Sequence, residues 1–342
     1  MQSSYLVFTG GKVKGGEKLK RRRKPIQAYS GVIEMLTYSK VEFTLRFSQP
    51  VFFKTYPTFL FRSVIGNALK KISCAMKDGT CESCLLKNNC AYAWFFETHV
   101  AQDNDVLPGV KKASHPFILS AEDVFREKTD TVRLTVTLIG KGREYINYLL
   151  FALIQAGERG LFRDRISFTV RAVQDALTKR QVWEGDALSP PEKSTLSLNP
   201  DTRSSEKRSL CLRLHSPVKI QKGGRVIEDI DYMSLLQSIH RRVRILAGFF
   251  GDRHALAPVL DFPDLSSGFL PKKEHFTSRR VYLPRWSGRQ KRAMDMGGME
   301  GAMDVSGLFS PCEMSLLSIG EVLHVGKNTG FGLGRYTVEK QL

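Results

Sequence analysis

The stretch Leu323 to Glu339, LHVGKNTGFGLGRYTVE, constrains the fold most, because four glycines, Gly326, Gly330, Gly332 and Gly334, sit between two apolar runs. A chain passing through such a stretch adopts backbone conformations that a side chain would block, so it forms a tight loop or a surface of close approach. Lys327, Asn328, Thr329 and Arg335 decorate the loop. Consecutive exposed amides beside cations make a concavity that suits phosphate oxygens, and a plain structural turn is the other reading. Tyr336 and Val338 after the loop read as a strand. A nucleotide P-loop opens into a helix and is therefore disfavoured.

The charge balance points to the same class of ligand. Lys and Arg number 52 against 34 Asp and Glu, a net +18, which implies a polyanionic partner: RNA, DNA or an anionic membrane. No apolar run reaches the length of a membrane span or a signal peptide, so a cytoplasmic protein without membrane attachment is expected.

Residues 1–34 read as a flexible arm, with Lys12, Lys14, Lys18, Lys20, Arg21, Arg22, Arg23 and Lys24 among glycines; it either touches nucleic acid or is merely solvated. From Val41 the pattern turns regular. Val41, Phe43, Leu45 and Phe47 alternate with polar residues as in a half-buried strand. Phe59, Leu60, Val64, Ala68 and Leu69 then form a helical stripe. Strands are expected at Val132–Leu138 and Ile166–Val170, with a helix over Tyr145–Ala156 between them. Residues 176–208, rich in Ser, Pro and charge, read as a linker. A strand at Leu210–Leu214, a helix over Tyr232–Phe250, and strands around Val281–Leu283, Leu316–Val325 and Tyr336–Val338 follow. The expected division is 35–175 and 209–342, two α+β domains of related architecture, each a sheet covered by helices on one face.

Cys74, Cys81, Cys84 and Cys90 follow a C-x6-C-x2-C-x5-C spacing between turn-like segments. Four thiolates satisfy a tetrahedral zinc ion, and in a reducing compartment such a cluster favours metal over disulfides. An iron–sulfur cluster also takes four cysteines. With every ligand supplied by protein, the metal's role is structural.

Arg279, Arg280, Arg285, Arg289, Lys291 and Arg292 interleave with Tyr282 and Trp286. Guanidinium groups bridge phosphates while aromatic rings stack on unpaired bases, a combination suited to RNA with single-stranded parts.

Taken in order, PTFLFRSVIGNALKK, CESCLLKNNCAYAWFFET, RRVYLPRWSGRQKRAMDMGGMEG and LLSIGEVLHVGKNTGFGLGRYTVE resemble the CRISPR-associated repeat-processing endoribonucleases of the RAMP superfamily. The resemblance runs from about residue 35 to the C-terminus. It implies two tandem ferredoxin-like domains, the first interrupted by the cysteine knuckle at 74–90, and a glycine-rich loop lying beside RNA. It also implies cleavage of precursor CRISPR RNA within its repeats, by attack of a ribose 2′-OH on its own phosphate, with no cofactor required for catalysis. CRISPR repeat RNA, and other CRISPR effector subunits, are the implied partners. Many relatives place a catalytic histidine near the first helix, but no residue from Val41 to Thr98 is histidine. Lys54 and Tyr56 are therefore expected as proton-transfer or positioning groups and Arg62 as the phosphate stabiliser, while His324 matches the family loop as a structural or RNA-touching residue. His99, His115 and His240 are distant in sequence but able to fold toward the site. A non-catalytic RAMP subunit holding guide RNA is the alternative, and a zinc-containing DNA-binding regulator is disfavoured for lack of a recognition helix.

Overall fold

The computed structural model describes residues 31–76, 80–100, 104, 106, 112–251, 269–287 and 291–341. The basic stretch of the expected N-terminal arm and Arg289 lie outside the described residues.

The first half is built on β1 (Ile33–Phe52), whose Val41, Phe43, Leu45 and Phe47 point into a core at 0–3% exposure. Facing them across β3 (Lys128–Ile139) are Val136, Leu134 and Val132, in antiparallel register with Val41, Phe43 and Leu45. Between these strands come α1 (Pro57–Ser73) and β2 (Phe117–Ser120), and after them α2 (Ile146–Arg159) and β4 (Phe168–Asp175). Pro57 opens α1, where its fixed φ and missing N–H cost nothing. The buried face of α1 is Phe61, Ile65, Ala68 and Leu69, packed on the sheet with α2. Leu60 and Val64 of the expected stripe are only half-buried, and Phe59 joins a separate cluster. Gly160 ends α2 at φ +74, its N–H bonding Ala156 O at 3.1 Å.

The second half repeats the plan with β8 (Glu206–Val218), α3 (Tyr232–Phe250), β11 (Lys273–Val281), β14 (Gly298–Phe309), α4 (Pro311–Leu323) and β15 (Tyr336–Lys340). Its sheet order is β11-β14-β8-β15, and the corresponding strands of the first sheet run β2-β3-β1-β4. In both halves the first and third strands of the plan are therefore central and every pairing is antiparallel. The result is a mixed α+β molecule. Two small hairpins, β9 (Ile220–Lys222) with β10 (Arg225–Ile227) and β12 (Pro284–Ser287) with β13 (Arg292–Asp295), hang from the second sheet.

Three expectations need correction. Leu316–Val325 is not a strand, because Ser310 and Glu313 form a capping box and Pro311 starts a helix. The helix is apolar on several faces, so its period was hidden. Residues 176–208 are not a free linker: β5 (Gln181–Glu184) and β6 (Ala187–Leu188) extend the first sheet beyond β4, and β7 (Ser194–Leu198) pairs with the beginning of β1. Ile33 and Glu34, assigned to the arm, likewise pair with Leu198 and Ser197. Met35, Leu36, Leu196 and Leu198 are buried in the core of the second half. A single long strand thus enters both cores and ties the halves together. Among the described residues no helix is long and apolar enough to cross a membrane.

Candidate nucleic-acid interface

A third apolar cluster lies where the halves meet. Tyr56 and Phe59 from the start of α1 pack with Leu283, Met296, Phe331 and Leu333 from the second half. Phe331 belongs to the glycine-rich loop, as part of a single 3-10 turn, Thr329–Phe331. Thr58 Oγ1 donates to Phe331 O at 2.5 Å, a buried bond that pins the loop to α1. Phe59 meets the Phe331 ring edge-on, with centroids 5.5 Å apart.

The glycines serve this docking. At Gly332, φ is +79 and a Cβ would lie 2.2 Å from Leu119 O of β2; at Gly334, φ is +78 and a Cβ would lie 1.9 Å from Val325 O. Several of the amides that could have formed a phosphate cradle are committed to the protein. Lys327 N–H bonds Lys219 O, Phe331 N–H bonds Asn328 O, Gly332 N–H bonds Thr329 O and Gly334 N–H bonds Pro217 O, all at 2.8–3.0 Å. Arg335 N–H donates to Ser216 Oγ, which in turn donates to Gly332 O, each at 2.9 Å. The expected nest of exposed amides around Thr329, Gly330, Gly332 and Gly334 is therefore corrected to a close-packed joint, and only Lys327 of the loop is fully exposed. His324, expected as a structural or RNA-touching residue, stands on the structural side. It is buried at 5% exposure with Nδ1 3.3 Å from Leu333 O. Burial, and after it the Arg242 guanidinium, pushes its pKa down to about 3, so it stays neutral and holds the loop.

Around Phe331 two cations converge. The Arg62 guanidinium lies 4.4 Å from the ring centroid and that of Arg285, on β12, lies 4.6 Å from it. Arg62 also lies over the rings of Phe96 at 5.2 Å and Phe117 at 5.9 Å. Among the described residues no carboxylate acts on either guanidinium. Burial, then repulsion from Arg285, lowers Arg62 to about 10, and burial lowers Arg285; both stay charged at neutral pH. Arg62 Nε has no hydrogen-bond partner among the described residues. Stacking on aromatic faces returns about 0.5–2 kcal/mol per contact, which does not neutralise two like charges taken from water. Their surroundings are therefore suited to an anion. His115 folds toward this site, its ring beside Phe96 and Phe117. Burial and then Arg62 depress it to about 3, so it is a neutral, weakly basic imidazole.

The other expected catalytic residues are not gathered here. Tyr56 is 3% exposed, its ring against Phe59 and Phe125, which suits anchoring α1 rather than reaching a substrate. Lys54 is exposed and lines a separate cleft of about 460 Å³ with Phe52, Phe162, Arg163 and Asp164. His99 is held near Glu97, at 3.8 Å, and His240 is buried in α3.

The β12–β13 hairpin presents two faces, because successive strand residues point oppositely. Arg285 turns inward to Phe331, while Trp286 is 66% exposed on the other side, near Tyr282 at 68%. Lys291 and Arg292 are exposed at its turn. Arg279 pairs with Glu300 at 3.3 Å, and Arg280 is held by Glu228 and by Asp295 at 3.6 Å. Arg280 is therefore less available to RNA than Arg279 or Lys291. Arg335 lines a polar cleft of about 430 Å³ with Glu42, Arg133, Gln174 and Lys179.

Residues 212–336, which contain the hairpin, Arg285 and the glycine-rich loop, match the family model of the CRISPR-associated endoribonuclease Cas6. That family model covers the C-terminal part of this chain. Residues 36–195, upstream of the Cas6 domain, match a family model described as an N-terminal domain. An uncharacterized protein of Archaeoglobus fulgidus is 20% identical over 301 residues, covering 86% of this chain and 96% of that protein. Among solved structures, a partial Cas6-RT-Cas1–Cas2 complex overlays 90% of the chain with a TM-score of 0.52 at 14% identity. The Cas6-RT-Cas1–Cas2 complex overlays with the same TM-score and identity. The chain spans 47% and 29% of those two chains respectively. At such identity the overlays speak for the fold.

Proposed function

We propose that this protein is an endoribonuclease that cuts precursor CRISPR RNA within its repeats, built from two tandem ferredoxin-like units. Support for the fold reading is the strand order that the two halves share. The observation that carries the functional reading is the pair Arg62 and Arg285, both held against Phe331 with no acid partner among the described residues, in a chain whose residues 212–336 match the Cas6 model.

The reaction joins the 2′-oxygen to phosphorus and breaks the bond from phosphorus to the 5′-oxygen. The 2′-proton goes to a base, a proton is delivered to the leaving oxygen, and the products are a 2′,3′-cyclic phosphate and a 5′-hydroxyl. The phosphorane carries more negative charge than the diester, so cations already fixed in a partly dry site stabilise it selectively. Arg62 and Arg285 take that role. The charge-stabilising groups are side chains, so the cut is expected to proceed in EDTA. Trp286 and Tyr282 offer faces for unpaired bases, with Arg279, Lys291 and Arg292 beside them for phosphates. Two solved relatives carry Cas6 joined to Cas1 and Cas2, and association with other CRISPR proteins is the corresponding proposal for this chain.

The test is cleavage of the cognate repeat RNA in EDTA beside the same RNA carrying a 2′-deoxy residue at the scissile position. The first should be cut, and the second should bind and survive. Cutting of the deoxy RNA would overturn the mechanism. Binding of both without cutting would replace the enzyme by a guide-holding subunit.

A further inference from the structure

Between the end of α1 and the short helical turn Ala93–Glu97 the chain makes a knuckle with little core of its own: Leu85 is 97% exposed and Leu86 53%. Its four cysteines nevertheless surround one space. Cys74, Cys81, Cys84 and Cys90 all line a single cavity of about 20 Å³ together with Met76 and Lys87. Among the described residues no carboxylate or imidazole lines it, and the four thiols are its metal-binding groups.

We propose that these four cysteines bind one zinc-class divalent ion as thiolates, and that the ion staples the end of α1 to the Ala93–Glu97 turn. Four cysteines admit a zinc ion or an iron–sulfur cluster, and the size of the cavity suits the single ion. About 20 Å³ is room for roughly one water-sized particle. A cubane of iron and sulfide needs far more. Two ligands are preset by regular structure: Cys74 caps α1 with its N–H on Lys70 O at 3.1 Å, and Cys90 O accepts from Trp94 N–H at 2.9 Å. The sulfurs themselves still stand apart, since no three metal-capable side chains among the described residues are at ligating distance. Cys74 Sγ donates to Met76 O at 3.0 Å, and Cys90 Sγ lies 3.8 Å from Ser73 O. Binding requires those thiols to lose their protons and turn inward: one divalent cation and four thiols give a dianionic tetrathiolate and four protons released to solvent. Lys70 and Lys71 in the last turn of α1, with Lys87 at the cavity, offset that charge.

The staple reaches the anion site. Phe96, in the turn that Cys90 precedes, packs on Gly66, where a Cβ would lie 3.1 Å from its ring, and carries the Arg62 guanidinium on its face. An ion in the knuckle thereby positions Phe96 under Arg62. This proposal stands without the RNA-cleaving reading.

The test uses the full chain. Elemental analysis of the native protein should find about one zinc per chain, absent from the double variant Cys81→Ser, Cys84→Ser and retained in Cys211→Ser, whose thiol lies outside the knuckle. Cobalt(II) added to the metal-free protein should give the sulfur-to-metal charge-transfer and tetrahedral d–d bands of a tetrathiolate. If the double variant does not fold, a mercurial titration of the wild type replaces it, and zinc release should track modification of about four thiols. Native protein without metal that also takes up no cobalt would overturn the proposal, and so would iron accompanied by acid-labile sulfide. RNA cleavage is scored separately, so loss of either reading leaves the other measurable.

Discussion

The glycine-rich loop and the β12–β13 hairpin have a similar composition, cations set among residues suited to approaching RNA, and they occupy opposite environments. In the loop, Phe331, Gly332, Leu333 and Gly334 are sealed between the halves; on the hairpin, Trp286 stands in solvent. The difference lies in what each backbone faces. Leu119 O, Pro217 O and Lys219 O come within bonding or contact distance of the loop from other parts of the chain, so its glycines admit protein instead of phosphate. The hairpin meets the protein on one face only, and that face delivers Arg285. Under the proposed function, RNA binding falls to the hairpin's outer face and chemistry to the joint.

Packing makes the largest prediction. Gly332→Ala should lower folding stability by about 3 kcal/mol, since it combines a left-handed φ with a backbone clash. Gly330→Ala, whose Cβ would meet nothing closer than 3.5 Å, should cost little. Denaturant melts of the two variants check this, and equal losses would break the distinction between joint and turn.

Acid should strike the sealed side next. His115 and His324 are held near 3 against a usual value of about 6.5, so the unfolded chain binds protons that the folded chain refuses. Stability is therefore intact above pH 6.5 and falls as pH drops through the window from 6.5 toward 3. At pH 5 each histidine accounts for up to about 2 kcal/mol. His324→Asn, which keeps the backbone strain that histidine already bears at φ 59 and ψ 168, should remove about half of that dependence in melts at pH 7 and pH 5. The hairpin, which carries no histidine, should contribute none between pH 7 and pH 5.

Smaller effects belong to the exposed face. Trp286→Ala should weaken RNA binding about tenfold, the loss of one stacked base, and leave the melting temperature unchanged. Arg279→Ala with Lys291→Ala should flatten the log–log salt dependence of binding by about 0.7–0.9 per lost phosphate contact. An unchanged salt slope would remove those two from the interface.

Much of the framework was legible because its physics is local. The alternation of Val41, Phe43 and Leu45 needs only a period of two, and α3 begins and ends where the apolar pattern does, with Asp231 accepting from Ser234 N–H at 2.5 Å. The misses are nonlocal. β7 is recognisable only once β1 is there to receive Leu196 and Leu198. α4 looked like a strand because its apolar residues cover several faces, although Ser310 and Glu313 announced its start. At the site, the cations were legible and their grouping was not. Arg62 and Arg285 meet over Phe331 through a contact between distant segments, and no spacing in either segment encodes it. The opposite orientation of Arg285 and Trp286 follows from the strand period alone, and reading that period on the hairpin would have separated them.

The central claim is that Arg62 acts on the reacting phosphate while the hairpin's outer face only holds RNA. Arg62→Gln and Trp286→Ala should be compared by single-turnover cleavage of the cognate repeat RNA at saturating protein, with affinity measured on the 2′-deoxy RNA. Arg62→Gln should keep affinity within a few-fold and slow cleavage by about a hundredfold, the scale of a lost transition-state contact, while Trp286→Ala should bind more weakly and cut at the wild-type rate once saturated. Wild-type cleavage by Arg62→Gln, with the fold intact, would contradict the account.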